Sequence, residues 1–243
     1  MRKSLKLFAV VVLLGLVTWG GAPGAYAADP QSPVRIGIIG TGRIGGALAR
    51  AWVKAGHEVF VSSRHPDELQ GLVAELGPRA HAGTPREAAA FGAVILISVP
   101  YRAMPQIGTD LHAELAGKVI LDTSNPVESR DGAMATDARK LGAGPATAEL
   151  LQSKRVVRAF NCIGAASLAS DGFHKPEPLA IPIGSDDAEA LATARKLISE
   201  IGFDPVVIGS LARTRVFDLG QPLATGDLTA AAMRSKAAKL SPQ

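Results

Sequence analysis

Residues 34–45 read VRIGIIGTGRIG, and this stretch decides the fold. A continuous apolar strand, Val34–Ile39, runs directly into the turn Gly40-Thr41-Gly42-Arg43-Ile44-Gly45. Apolar residues then recur at helical spacing from Ile44 as far as Gly56, which predicts that the turn opens a helix. A Gly-x-Gly-x-x-Gly turn between a buried strand and a helix is the fingerprint of a dinucleotide-binding βαβ unit.

Each glycine of the turn has a separate physical task. Gly40 permits the tight turn, Gly42 lets the backbone approach a pyrophosphate, and Gly45 lets helix and strand pack closely. The free N–H groups and positive dipole end of the following helix then face the phosphates. A purely structural glycine turn is the alternative interpretation.

The end of the second strand indicates which dinucleotide is bound. An NAD site places a carboxylate there for the ribose 2′-hydroxyl, whereas an NADP site offers an arginine to the 2′-phosphate. This chain has Ser62-Ser63-Arg64-His65-Pro66, with no acidic residue before Asp67. Hydroxyls and a bidentate guanidinium favour NADP(H), with His65 as an additional candidate ligand. A solvated loop arginine is the alternative for Arg64.

Short apolar runs alternate with helical patterns along the rest of the chain. We predict strands at Val34–Ile39, Val59–Val61, Ala93–Val99, Lys118–Asp122, Arg155–Ala159, Leu179–Ile183 and Pro205–Ile208, and a helix over Asp186–Ile201. This alternation predicts an α/β fold, a Rossmann-type doubly wound parallel sheet in the order 3-2-1-4-5-6, with Ala93–Val99 as the fourth strand. Later strands extend one edge as a small C-terminal α/β extension.

The first residues have the pattern of a targeting segment. A basic start containing Arg2, Lys3 and Lys6 precedes an apolar run, and Ala25-Tyr26-Ala27 supplies a small-x-small cleavage pattern. We predict a signal peptide over residues 1–27 and an exported protein, periplasmic or secreted. An uncleaved membrane anchor is the alternative. The other predicted segments are a linker (28–33), an NADP-binding Rossmann domain (34–162), the C-terminal substrate-side extension (163–223) and a tail (224–243) in which Leu228–Leu240 is helical.

Composition narrows the partners. Of the formal net charge of +4, three charges belong to Arg2, Lys3 and Lys6, so the sequence pI of about 9.4 does not argue for nucleic acid. Cys162 is the only cysteine among the 243 residues, which excludes an intramolecular disulfide framework and a multi-cysteine metal site. We expect Cys162 to be a small buried residue, with a reactive thiol as the alternative, and we assign no metal ligands.

Five loops resemble, in their order and spacing, those of the NADPH:F420 oxidoreductase family, which includes the reductase domain of STEAP-type metalloreductases. They are Gly40-Thr41-Gly42-Arg43-Ile44-Gly45, Ser63-Arg64-His65-Pro66, Ser98-Val99-Pro100-Tyr101, Asp122-Thr123-Ser124-Asn125-Pro126 and Arg158-Ala159-Phe160-Asn161. The resemblance extends from about Val34 to Leu223 and includes Gly184-Ser185-Asp186-Asp187. Two departures are the acidic Asp67 and Glu68 after the Ser-Arg pair, and the export signal.

The resemblance implies the following roles. Thr41–Ile44 contact the pyrophosphate, Ser63 and Arg64 hold the 2′-phosphate, and Val99, Pro100, Tyr101, Asn125 and Asn161 surround the nicotinamide. It implies an NADPH-dependent oxidoreductase that transfers hydride to a small-molecule planar acceptor such as F420 or a flavin. We expect Leu179–Gly184 to form the wall opposite the nicotinamide.

Hydride transfer between stacked rings needs little acid–base assistance, and we assign no catalytic residue. His57, His81, His112 and His174 are scattered, and we expect them at surfaces or turns. Tyr101 and Asn161 are candidate donors to a substrate carbonyl, with packing and loop capping as alternatives. Two other functions stay open: an NADP-binding module without turnover, and an imine or pyrroline-carboxylate-type reductase, which normally has a long helical dimerisation region. A homodimer is also an open alternative.

Overall fold

The strand that carries the glycine turn lies inside a mixed sheet in the computed structural model of the chain, which describes residues 32–174 and 176–240. The described strands are β1 (Arg35–Ile39), β2 (Glu58–Ser62), β3 (Ala80–Gly83), β4 (Val94–Ile97), β5 (Val119–Asp122), β6 (Val156–Arg158), β7 (Ala180–Gly184) and β8 (Asp204–Gly209). Their spatial order is β3-β2-β1-β4-β5-β6-β7-β8. The predicted α/β Rossmann-type fold and its strand order are confirmed.

Helices connect the strands. They are α1 (Arg43–Lys54), α2 (Gln70–Leu76), α3 (Pro85–Phe91), α4 (Met104–Asp110), α5 (His112–Leu115), α6 (Glu128–Asp131), α7 (Ala133–Leu141), α8 (Ala143–Leu151), α9 (Ala165–Ser170), α10 (Ala188–Glu200) and α11 (Ala230–Ala238). Short 3-10 turns precede α2 and α4 at Pro66–Leu69 and Tyr101–Ala103. The capping box predicted at Thr84 is present, with Thr84 and Glu87 capping each other's backbone N–H groups.

The central strands are buried on both faces. β4 (VILI) and β5 (VILD) are buried at every position, as parallel strands covered by helices on both sides require. β1 pairs in parallel with β2 and β4, in the registers Ile36↔Val59 and Ile36↔Val94. The predicted adjacency of the first strand and the Ala93 strand is therefore confirmed.

Two apolar clusters cover the faces of the sheet. One contains Trp52 of α1 and Leu197 of α10, and the Trp52 indole Nε1–H donates to the Leu197 carbonyl oxygen at 3.1 Å. The other contains Met104 of α4 and Ala146 of α8. Helices on both faces leave the carboxyl edge of the parallel strands as the place where loops converge.

Two strands differ from the sequence prediction. β3 was not located, because its four residues Ala80-His81-Ala82-Gly83 carry little apolar pattern. β7 runs antiparallel to β6, through the pair Arg158↔Gly184, whereas the predicted sheet was parallel. The chain after β6 contains only the short α9 and no crossover to the amino edge, so it re-enters the sheet from the carboxyl edge. β8 is parallel to β7 after the intervening α10.

The residues from Pro33 onward form one compact unit, in which the predicted extension contributes β7 and β8 to the common sheet. α11 lies in the predicted tail, and its buried Met233 packs with Val206. The predicted signal peptide (1–27), most of the linker and residues 241–243 lie outside the described residues, so export stays a prediction. None of the helices that the structure describes is long and apolar enough to cross a bilayer.

His57 is a buried structural residue rather than the surface or turn residue expected. The Val34 backbone N–H donates to its Nδ1 at 3.2 Å, so Nε2 carries the hydrogen that faces Glu200 Oε2 at 3.1 Å. Burial lowers the pKa of His57 below its usual value. The folded protein therefore holds this imidazole neutral.

We expect the free energy of unfolding to fall as the pH drops below about 6.5, because unfolded His57 takes up a proton there and folded His57 does not. Above that pH this contribution is constant. His57→Asn should reduce the pH dependence between pH 7 and 5 in urea unfolding, while the exposed His112→Asn should leave it unchanged. An identical slope in wild type and His57→Asn would contradict this assignment.

Candidate functional site

A cavity of about 540 Å³ opens at the carboxyl edge of β1, β2 and β4. Its walls come from the glycine turn, the end of β2, the Ser98–Pro100 loop and one face of α4. The residues that were predicted as ligands and that line it are Gly40, Thr41, Gly42, Ser63, Arg64, Val99 and Pro100. The structure therefore brings together residues from three predicted loops, at the edge where open parallel sheets bind ligands.

The backbone at the three glycines fits the predicted tasks. Gly40 has φ +93°, and a Cβ there would lie 2.4 Å from the Ser98 carbonyl oxygen. A Cβ on Gly45 would lie 2.2 Å from the Gly40 carbonyl oxygen, so this glycine packs under the turn rather than lining the cavity. A Cβ on Gly42 would meet nothing within 4 Å. Gly42 thus faces the open space that a pyrophosphate requires.

The start of α1 leaves backbone donors available. Gly42 is the N-cap of this 12-residue helix, and no side chain caps its first N–H groups. The Thr41 hydroxyl donates to the Ser62 carbonyl oxygen at 2.9 Å, which ties the turn to β2. The turn is therefore held in place while the helix N-terminus faces the cavity, an arrangement that suits phosphate oxygens.

The end of β2 presents a hydroxyl and a guanidinium. Ser63 Oγ accepts from the His65 backbone N–H at 3.0 Å, so its own hydrogen remains free to donate. Arg64 is exposed, and within the described residues its side chain makes no ion pair or hydrogen bond. His65 is also exposed but does not line the cavity. Ser63 and Arg64 are thus the pair placed to hold a 2′-phosphate.

The wall facing these loops comes from α4 and the turn before it, not from Leu179–Gly184 as expected. Ile181 and Ile183 are buried in the sheet core, because β7 is an interior strand. Arg102, Gln106 and Asp110 line the cavity instead, and Gln106 Nε2 donates to Asp110 Oδ1 at 2.6 Å. Sequence reasoning missed these three, although their spacing of four residues after the Ser98–Tyr101 loop is the available signal.

A second cavity, of about 280 Å³, continues the first toward β5. The two share Gly42, Ser98, Val99 and Pro100, and the smaller one adds Arg43, Ile44, Thr123, Ser124, Asn125 and Arg130. Four arginines line the combined cleft, namely Arg43, Arg64, Arg102 and Arg130, while Asp110 is the one carboxylate among the lining residues. This charge balance favours a polyanionic ligand such as a dinucleotide phosphate.

Asn125 lines the smaller cavity, but its side chain is already bonded within the protein. Its Nδ2 donates to the Asn161 carbonyl oxygen at 2.6 Å, and its Oδ1 accepts from Arg158 Nη2 at 3.2 Å. Asn161 Nδ2 in turn donates to the Phe217 carbonyl oxygen at 2.8 Å. Asn125 therefore fixes the loop after β5 to the loop after β6, and only its second amide hydrogen is left for a ligand.

Arg158 anchors this arrangement from below. It is fully buried, pairs with the buried Asp122 at 2.9 Å and with Asp218 at 3.3 Å, and donates to the Ser124 carbonyl oxygen. Asp122 also accepts from the Ser124 backbone N–H at 2.9 Å and from Thr147 Oγ1 at 3.0 Å. The loop that lines the smaller cavity thus rests on a buried ion-pair network that sequence reasoning did not identify.

Tyr101 and Asn161 line neither part of the cleft. Both are buried, and within the described residues the Tyr101 hydroxyl and Asn161 Oδ1 have no hydrogen-bond partner. Burial raises the pKa of Tyr101 to about 12. The expectation that they donate to a substrate carbonyl is therefore corrected: the side chain of Tyr101 packs under α4, and that of Asn161 is directed toward Phe217.

Cys162 follows Asn161 and is half-buried. Burial raises the pKa of its thiol to about 12, so the thiolate, the reactive form, is disfavoured. The structure supports the interpretation of Cys162 as a packing residue.

We expect Arg158→Met to lower the free energy of unfolding by about 3–5 kcal/mol, because it leaves two buried carboxylates without their cation. The matched control is Arg155→Met, three residues earlier, whose ion pairs with Asp187 and Glu189 are partly solvated. That change should cost less than about 1 kcal/mol. Urea unfolding of both variants measures the difference, and equal losses would show that the network does not stabilise the fold.

Comparisons with known proteins agree with this geometry. The family described as NADP oxidoreductase, coenzyme F420-dependent, matches residues 35–126, which contain the glycine turn, the end of β2 and the loop after β5. A hypothetical protein from Sinorhizobium meliloti has a solved structure that is 27% identical, with a TM-score of 0.67, covering 82% of this chain and 96% of that one.

Two relatives extend the match beyond the family segment. The rat metalloreductase STEAP3 is 32% identical over 199 residues, which cover 79% of this chain but only 37% of STEAP3. The F420-dependent NADP reductase of Methanothermobacter marburgensis is 30% identical over 204 residues, covering 78% of this chain and 90% of that protein. Since the second match spans nearly the whole relative, the chain belongs to the F420-dependent NADP oxidoreductase family of NADP-dependent oxidoreductases.

Proposed function

We propose that this protein transfers hydride between NADPH and a planar ring acceptor, with F420 as the first candidate and flavins as the second. The observation that carries the proposal is the cavity of about 280 Å³ beside the glycine turn. It adjoins the dinucleotide cleft, and its lining contains no histidine, carboxylate, cysteine or tyrosine. A site that binds rings and offers no proton donor of those kinds fits ring-to-ring hydride transfer.

The dinucleotide end of the proposal rests on the glycine turn and β2. The N–H groups at the start of α1 would hold the pyrophosphate, and Ser63 with Arg64 would hold the 2′-phosphate. When bound, NADPH supplies a hydride, the acceptor takes up the two electrons with a proton from water, and NADP⁺ remains.

The chain's own contribution is orientation and exclusion of water. The Val99 and Pro100 side chains form an apolar surface between the two cavities. Asn125, Arg158 and Asp122 hold the facing loop rigid through buried hydrogen bonds. Such pre-organisation lowers the entropy cost of bringing two rings together.

Two alternatives are less well supported. An imine or pyrroline-carboxylate-type reductase normally has a long helical region after the Rossmann unit. Among the described residues after Asn161 the longest helix is α10, with 13 residues, and two strands flank it. A binding module without turnover is disfavoured by the family, and the assay below separates it from an enzyme.

The test of the proposed function is NADPH oxidation followed at the nicotinamide absorbance, with F420, FMN or riboflavin as acceptor. We expect turnover with at least one of these acceptors. Tight NADPH binding with no oxidation in the presence of any of them would contradict the proposal and favour the binding-module function.

Cofactor preference is a separate prediction. We expect NADPH to bind more tightly than NADH, and Arg64→Ala to remove most of the difference. Loss of one charge-assisted contact to the 2′-phosphate should weaken NADPH binding by about 1.5–3 kcal/mol, roughly 10- to 150-fold, and leave NADH binding nearly unchanged. Titration calorimetry with both nucleotides measures this.

The matched control is Arg195→Ala, since Arg195 is an exposed arginine on α10 that lies outside the cleft lining. Its nucleotide affinities should equal those of the unmutated protein. Equal binding of NADH and NADPH by the unmutated protein would refute the role given to Ser63 and Arg64.

A further inference from the structure

An open groove of about 790 Å³ runs between α1 and α9. From α1 it is lined by Arg43, Ile44, Ala47 and Arg50, and from the other side by Gly164 and three alanines of α9. From Arg43 to Arg50 the helix advances about 10 Å, which sets the length of the groove. Its floor is mostly apolar, and the arginines at its two ends supply the only formal charges in its lining.

The groove meets the cavity proposed for the acceptor ring. Arg43 and Ile44 line both spaces, so a molecule in the smaller cavity can extend directly into the groove. The two arginines differ in what they already bind. Arg50 forms two hydrogen bonds of 2.6 Å with Glu75, whereas the exposed Arg43 side chain has no ion pair or hydrogen bond in the part of the chain that the structure describes.

We propose that the acceptor carries an anionic arm, a phosphate or carboxylate on a short chain, which lies in this groove and pairs with Arg43. The inference rests on the proposed function, because it takes the ring site as given. An uncompensated guanidinium at the junction of the two spaces favours an anion there, and guanidinium binds phosphate and carboxylate in bidentate geometry. The apolar floor accommodates the linking carbons.

The experiment compares FMN with riboflavin, which share one ring system and differ by a terminal phosphate. At saturating NADPH, we expect kcat/KM to be about tenfold higher for FMN, the size of one charge-assisted contact. Arg43→Ala should remove that advantage and leave riboflavin within about twofold. Arg43→Lys should restore part of it, and Arg195→Ala is the control that should change neither.

A second variant tests the groove itself. Ala166 is exposed on α9 and lines the groove, so Ala166→Trp fills it without disturbing the core. We expect this variant to raise KM for FMN and to leave riboflavin unchanged. If it instead changes the oligomeric state measured by light scattering and leaves FMN kinetics unchanged, the groove is a subunit interface and the proposal is wrong.

Two further outcomes would overturn the inference. They are equal kcat/KM for FMN and riboflavin in the unmutated protein, and an equal loss for both acceptors in Arg43→Ala, which would assign Arg43 to NADPH alone. Flavin fluorescence titration of the NADP⁺-loaded protein separates this inference from the proposed function. A preference for FMN that depends on Arg43 supports the groove even if no acceptor is reduced, and its absence refutes the groove even if turnover is observed.

Discussion

The buried ion pair between Arg158 and Asp122 is the interaction on which the functional edge of the molecule depends. It joins the ends of β5 and β6, which are register partners, and brings in Asp218 from the C-terminal part of the chain. Desolvating these charges is costly, and the cost is recovered only because hydrogen bonds from Thr147 and Ser124 complete the network. The loop that lines the smaller cavity therefore has one well-defined position.

Much of the fold was predictable from local sequence. The glycine turn, the apolar strands and the stops at Gly56 and Gly202 specify βαβ units, and the right-handed crossover rule then orders the strands. At the turn, even the separate tasks of Gly40, Gly42 and Gly45 follow from the motif, because each reflects a local backbone requirement. The direction of β7 was not predictable in this way, since it depends on which edge of the sheet the chain reaches after β6.

The site was predictable where a ligand contacts backbone and less so where side chains pair with each other. Tyr101 and Asn161 looked available in sequence because polar residues in loops often face ligands, yet both are buried at 0% and 8% exposure. Arg158 was overlooked as a single charge in the loop segment Arg158–Asn161, although Asp122 ends the neighbouring strand at the same level. Side-chain direction is set by tertiary packing, which pattern alone does not contain.

The division of the cleft has an evolutionary consequence. Ser63 and Arg64 line only the larger cavity, whereas Asn125 and Arg130 line only the smaller one. Mutations at the two ends therefore act on different partners and accumulate without mutual interference. Cofactor choice and acceptor choice are inherited as separable traits, and a single scaffold of this kind can diversify its redox chemistry one half at a time.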